Sequence, residues 1–317
     1  MSVASSTMLV AIGEPMIEFN QTRGDDPSLW LQGYGGDTSN MAIAAARLSR
    51  GSALRVAYVT SVGDDAFGRM LLDLWSRENV DASGVAVDRH APTAVYFVSH
   101  DARGHAFSYL RAGSAASRMS VDALPLALLQ HASALHVSGI SQAISTSACD
   151  ACFAAIDTVR RAGGRISYDP NLRLKLWPIA RARAIVSATL ALVDWAMPSY
   201  DDARELFGTQ SPDEIVDRLH ALGTPVVALK LGSEGCLVSD GQRRERIAGR
   251  RVVAVDATGA GDCFDGAFVV RLLRGDDPFA AARYANIAAS IATTGFGAVA
   301  PLPDDAAVRS VLAQAAA

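Results

Sequence analysis

The stretch from Val252 to Asp262, Val-Val-Ala-Val-Asp-Ala-Thr-Gly-Ala-Gly-Asp, sets a carboxylate behind two closely spaced glycines at the start of an amphipathic segment. Gly259 and Gly261 allow a tight turn in which successive backbone N–H groups converge on one point. Unpaired amides and the positive end of a helix dipole attract an anion there. Asp262 falls in the first helical turn, beside where a phosphoryl group would rest. A carboxylate is badly placed for binding an anion, but well placed to take the proton of a hydroxyl that attacks a phosphoryl group. Two other readings stay open: a plain capped helix start, or a degenerate dinucleotide fingerprint. The fingerprint belongs to a first βα unit with a third glycine three residues on. Here the turn lies late in the chain, and the next glycine is Gly266. No G-x-x-x-x-G-K-[ST] run occurs.

A second constellation is Gly35-Gly36-Asp37-Thr38-Ser39-Asn40, which precedes the helical stretch Met41 to Leu48. Paired glycines admit a ligand close to the backbone, and Asn40 offers a donor and an acceptor for sugar hydroxyls. The alternative is a glycine-rich turn with Asp37 or Thr38 as helix cap. A third is Lys230-Leu-Gly-Ser-Glu-Gly235, whose Gly232 and Gly235 suit the flat edge of a nucleoside or an ordinary hairpin turn.

Positioning these groups requires a scaffold, and the apolar pattern supplies one. Short β-branched runs at 8–12, 54–62, 134–139, 165–169, 192–197 and 225–230 alternate with helical periodicity at 38–48, 66–78, 146–162, 180–190, 200–207 and 211–222. This rhythm predicts an α/β fold with a mainly parallel central sheet flanked by helices. A hairpin-like stretch at 236–255, with a strand ending at Asp256, then leads into two or three helices. Segments near 16–34 and 92–112 do not fit the alternation. The second reads as a hairpin around Asp101 to Gly104. They predict a small separate β-sheet over one end of a single domain spanning 1–317, a lid able to exclude water; an edge extension of the central sheet is the alternative.

Composition narrows the function. Among 317 residues, with a net charge of −4, nothing favours a nucleic-acid or anionic-membrane surface. The early apolar run Met8 to Ile12 is too short for a signal core, and no run approaches a membrane span, so a cytoplasmic location is expected. Cys149 and Cys152 form a C-x-x-C within a helical pattern, without a second pair at zinc spacing, and read as structural.

Taken together, G-G-x-x-x-N, S-V-G-D-D-A-F-G (61–68), D-P-N-L-R (169–173), K-x-G-x-x-G and D-x-T-G-A-G-D occur in one order along the chain. In this the sequence resembles the ribokinase-like, PfkB-type carbohydrate kinases over nearly its whole length. The resemblance implies ATP and Mg²⁺, a possible monovalent cation, and Asp262 as base with the amides of Ala260 and Gly261 in the anion hole. It places Lys230, Gly232, Gly235, Gly259, Gly261, Ser199 and Asn286 on the nucleotide side. The family's N-x-x-E falls on Ser199-Tyr-Asp-Asp202 and departs at both ends, leaving Asp202 as a shorter carboxylate acting on the metal through water. Segments 35–40, 107–117 and 138–145 resemble the 2-keto-3-deoxygluconate kinases most. On the substrate side stand Gly35, Gly36, Asn40, Tyr96, Tyr109, Arg111, Ile140, Arg173 and Asp262. Arg111 and Arg173 together would suit a sugar carboxylate. The run Asp169 to Trp177 also resembles fructokinases, and a catalytically silent sugar-acid sensor is the alternative of another class. Apolar lid strands, with Val95, Phe97 and Phe107, lead to an expected homodimer or higher homo-oligomer.

Overall fold

The structure, a computed structural model, describes residues 7–22, 26, 28–101 and 104–316. Its strands are β1 (Met8–Ile12), β2 (Met16–Gln21), β3 (Trp30–Gly35), β4 (Arg55–Gly63), β5 (Val80–Asp88), β6 (Val95–Asp101), β7 (Gly104–Leu110), β8 (Ala134–Ser138), β9 (Arg165–Asp169), β10 (Trp195–Ala196), β11 (Val226–Lys230), β12 (Gly235–Ser239) and β13 (Arg244–Ala248). Its helices are α1 (Asp37–Ser49), α2 (Ala66–Arg77), α3 (Leu126–Gln130), α4 (Gly139–Ala143), α5 (Thr146–Arg161), α6 (Ile179–Leu190), α7 (Tyr200–Phe207), α8 (Pro212–Ala221), α9 (Ala260–Leu273), α10 (Pro278–Ala292) and α11 (Asp305–Ala316).

Nine strands form the main sheet in the order β13-β12-β11-β10-β9-β8-β1-β4-β5. Every pairing from β5 to β11 is parallel, and β12 and β13 turn back antiparallel at one edge. The central strands are buried on both faces, as parallel strands covered by helices must be. In β1, Leu9 and Ala11 join an apolar cluster with α1, α9 and α10, while Met8, Val10 and Ile12 face a second cluster with α5, α6 and α8. The ribokinase-like α/β architecture expected from the sequence is the one observed.

The segments expected to form a lid make a separate four-stranded sheet, β3-β2-β6-β7. It joins two hairpins, since β2 pairs antiparallel with β3, β6 pairs antiparallel with β7, and β2 and β6 run parallel. Ala102 and Arg103, at the tip of the expected hairpin, lie outside the described residues.

Several local expectations need correction. The run Val252 to Asp256 is not a strand: Val253 is 88% exposed and Val255 62% exposed. Val255 and Asp256 donate their amides to Thr293 O in the loop after α10, so this segment is tied to a loop and not to a sheet edge. The hairpin therefore ends at Ala248. Only Trp195–Ala196 of the 192–197 run is strand. The edge strand β5, VDASGVAVD, is not among the expected strands, because Ser83-Gly84 and the aspartates interrupt its apolar pattern and only Val80 and Gly84 are buried. Cys149 and Cys152 are unpaired and buried on α5, and burial raises both thiol pKa values, as befits packing residues. Among the described residues, no helix is long and apolar enough to cross a membrane.

Candidate active site

The ends of the parallel strands gather the polar groups. Asp169 ends β9, Lys230 ends β11, and Gly13 and Glu14 follow β1. Crevices outside the carboxyl ends of such sheets are where α/β proteins bind ligands.

Asp262 lies in the first turn of α9, whose N-cap is Gly259 in the left-handed region at φ 76°. A side chain at Gly259 would also come within 2.9 Å of Ala298 O. The turn itself is shaped by Asp256, which accepts from Thr258 N at 2.9 Å, Thr258 Oγ1 at 2.7 Å and Gly297 N at 3.0 Å. The Ala260 amide donates to Ala257 O at 3.2 Å, closing the turn. The expected pairing of Ala260 and Gly261 amides in an anion hole is therefore altered: with the Ala260 amide taken, the first-turn amides of Gly261 and Asp262 are the ones left without intrahelical acceptors.

Asn40 Nδ2 donates to Asp262 Oδ2 at 2.8 Å, and Asn40 Oδ1 is buried with no protein partner. The contact depends on how closely α1 and α9 pack: a Cβ at Gly266 would stand 2.7 Å from Met41 O. Burial and the nearby Asp37 carboxylate push the Asp262 carboxyl up to about 7, against the Asn40 hydrogen bond and the charge of Lys230. That value suits a base that changes state near neutrality.

Lys230 is a buried cation. Its Nζ donates to Asp169 Oδ2 at 2.8 Å and to both Asp265 oxygens at 2.9 and 3.2 Å. Burial alone would lower its pKa, but the two carboxylates outweigh burial and hold it protonated. The ammonium lies close to the glycine turn that opens α9, 3.5 Å from where a Cβ on Gly261 would be. Asp37 does not cap α1, whose N-cap is Gly36 without a side-chain bond. Its oxygens accept from Thr38 N and Asn171 Nδ2, both at 2.8 Å.

On the lid side, Tyr96 packs its ring over Gly35, where a Cβ would meet it at 2.6 Å. Its hydroxyl donates to Glu18, and its ring stacks on Tyr109 with centroids 5.8 Å apart. The Arg111 guanidinium lies 5.5 Å from the Tyr109 ring centre and forms an ion pair with Glu14. Arg173 is not brought into that pair: it is exposed, bonds to Leu172 O at 2.8 Å, and exerts its charge on Asp37 and Asp202. Ile140 is half-buried near the start of α4.

The residues expected on the nucleotide side divide in two. Asn286 lines a cavity of about 550 Å³ together with Ala248, Gly249, Arg283, Ile287 and Leu312, and its Nδ2 donates to Ile247 O at 3.2 Å. Gly232 and Gly235 do not line it. Gly235 instead packs where a Cβ would meet Ile247 O at 2.1 Å, fixing the strand end that forms one wall. Ser199 is used as the α7 cap, accepting from Asp202 N at 3.2 Å, and burial raises the Asp202 carboxyl.

Sequence reading passed over Glu14 and Asp265. Asp265 carried a signal, since it follows Asp262 by one helical turn and shares its face; Glu14, next to Pro15 after a strand, carried none.

Residues 6–305 match the family described as pfkB family carbohydrate kinase. The chain belongs to that family. This pfkB kinase is 35% identical over 280 residues to the 2-dehydro-3-deoxygluconokinase of Thermoproteus tenax, covering 85% of this chain and 83% of the relative. It is 32% identical over 328 residues to fructokinase-1 of Zea mays, covering 98% and 99%. Among solved structures, the fructokinase of Vibrio cholerae O395, in a form bound to fructose, ADP and calcium ion, superposes with TM-score 0.85 at 29% identity, covering 96% of this kinase and 99% of that chain. The polar groups described above thus belong to a carbohydrate kinase.

Proposed function

We propose that this kinase transfers the γ-phosphoryl group of ATP to the terminal hydroxyl of 2-keto-3-deoxygluconate, giving the 6-phosphate. The observation that carries the reading is the Asn40–Asp262 contact at the first turn of α9. Asn40 keeps Asp262 oriented while its free Oδ1 accepts from a sugar hydroxyl. Asp262 then accepts the proton of the attacking oxygen as the phosphoryl group passes to it. The amides of Gly261 and Asp262, over the Lys230 ammonium, stabilise the charge on the transferred group. The base of ATP would occupy the cavity beside Asn286. Mg²⁺ neutralises the phosphates when bound. Among the described residues no group of three His, Cys, Asp or Glu side chains could hold a metal, which fits an ion carried by phosphates and water, with Asp202 touching it through water.

The choice of a sugar acid rests on Arg111 under the lid, with Tyr109 against it. A neutral ketose such as fructose is the second reading, and it draws on the Glu14–Arg111 ion pair, which already offsets the arginine charge. ADP release with MgATP and 2-keto-3-deoxygluconate, fructose, ribose, gluconate and adenosine decides between them. A higher kcat/KM for the keto-deoxy acid supports the proposal, and a preference for fructose overturns it. Val95 is buried and Phe97 packs on Phe19 and Trp30, so those expected dimer residues are already covered, and the exposed Leu29, Leu31 and Leu110 instead support a homodimer closed by this sheet; a monomer by light scattering at micromolar concentration would count against that.

A further inference from the structure

Glu14 has a fully buried carboxylate, placed where the main sheet meets the lid. It follows β1, and its backbone lies directly beneath the glycine turn that opens α1: a Cβ at Gly36 would stand 2.3 Å from Glu14 O. Its side chain has 0% exposure, and Arg111, 12% exposed, is its counter-ion. Ser114 Oγ donates to Glu14 Oε1 at 3.0 Å. Burial raises its carboxyl above the ordinary range, while Arg111 and Ser114 pull it back toward the charged form.

The same guanidinium has a second side. Arg111 Nε is buried without a hydrogen-bond partner. A line of neighbours joins Arg111 to Tyr109, Tyr109 to Tyr96, and Tyr96 to Gly35 just before α1, the helix that carries Asn40, and Tyr96 also feels the charge of Asp262. Arg111 therefore holds a fixed internal carboxylate on one side and leads, through Tyr109 and Tyr96, toward the sugar site proposed above. Its charge, as felt by a substrate, is the charge left after Glu14.

We propose that Glu14 is a specificity-determining residue, whose buried carboxylate sets how strongly the sugar site prefers an anionic substrate over a neutral one. A buried charge is screened little by solvent, so the effect falls on any substrate carboxylate near Arg111 and spares hydroxyl recognition by Asn40. Glu14 touches no reacting atom; its charge is felt at the substrate alongside that of Arg111.

The test is the ratio of dissociation constants for fructose and for 2-keto-3-deoxygluconate, measured by calorimetry without nucleotide. In Glu14→Gln the ratio should shift about tenfold or more toward the acid, while fructose binding changes less than about threefold. Glu14→Asp, which keeps the charge, should stay near the wild-type ratio. Parallel weakening of both ligands in Glu14→Gln would overturn the proposal and leave Glu14 a structural residue. Should Glu14→Gln fail to fold, Arg111→Gln and the double variant Glu14→Gln/Arg111→Gln replace it. There, removing Glu14 must restore part of the acid affinity lost with Arg111, and no recovery would overturn the proposal. The inference rests on the sugar-acid reading only for its choice of probe. A wild-type preference for fructose counts against that reading, whereas the change of ratio on removing Glu14 judges this one.

Discussion

Asn40 and Asp262, 222 positions apart, meet through a 2.8 Å hydrogen bond between the first turns of α1 and α9. One residue offers sugar-binding groups and the other a base, so their contact joins recognition to proton transfer. Asp262→Asn keeps the shape and removes the base. Its kcat should fall by about 10²–10⁴-fold with sugar KM little changed. Steady-state kinetics on a variant with unaltered circular dichroism is the check, and turnover near wild type would remove Asp262 from the role.

The pH profile should report the same carboxyl. Asp262 must be ionised to accept a proton, and its pKa is raised to about 7, so kcat should decline on the acid side with a midpoint near there. Asn40 hydrogen-bonds the ionised form, and Asn40→Ala should move the limb to higher pH. A limb that stays in place would show that Asn40 does not tune the base.

Stability should follow with the opposite sense. A carboxyl raised above its unfolded value contributes stability that is complete below that value and lost as pH rises through about 7. Asp262→Asn cannot ionise. It should therefore melt roughly 2–5 °C above wild type at pH 8, and close to wild type below pH 4. Thermal unfolding across that range is decisive, since a constant difference would contradict the linkage.

Lys230 compensates two buried carboxylates at once. Lys230→Met leaves Asp169 and Asp265 without their counter-ion and should cost about 3–5 kcal/mol in urea denaturation. Asp265→Asn should cost less, about 1–3 kcal/mol, because Lys230 keeps Asp169. Equal losses would mean that the triad is not organised around the lysine.

The cavity beside Asn286 is testable from its rim. Ala248 is exposed at the end of β13 and lines it, so Ala248→Trp should fill the space without disturbing the core. KM for ATP should rise about tenfold, equivalent to 1.4 kcal/mol, with sugar KM unchanged. An unaltered nucleotide KM would place the base of ATP elsewhere.

Much of the scaffold was readable along the chain, because each strand and helix states its period through its own residues. The apolar alternations at 8–12, 165–169 and 225–230 are strands, and the helical periods at 66–78 and 200–207 are helices to within a residue. The glycine turns before Asn40 and Asp262 were legible too, since backbone geometry restricts what can stand there. The exceptions follow physical lines. The run 252–256 reads as a strand by composition, yet its Val255 and Asp256 amides go to Thr293, and β5, absent from the expected strands, finds a partner in β4. What local pattern could not contain is which charges meet. Lys230 finds Asp169 and Asp265, and Arg111 finds Glu14, because sheet order and helix packing bring distant positions together. By itself the sequence determined the elements, the turns and the family of chemistry. The tertiary structure decided the partners, since burial makes each charge depend on neighbours that lie far away along the chain.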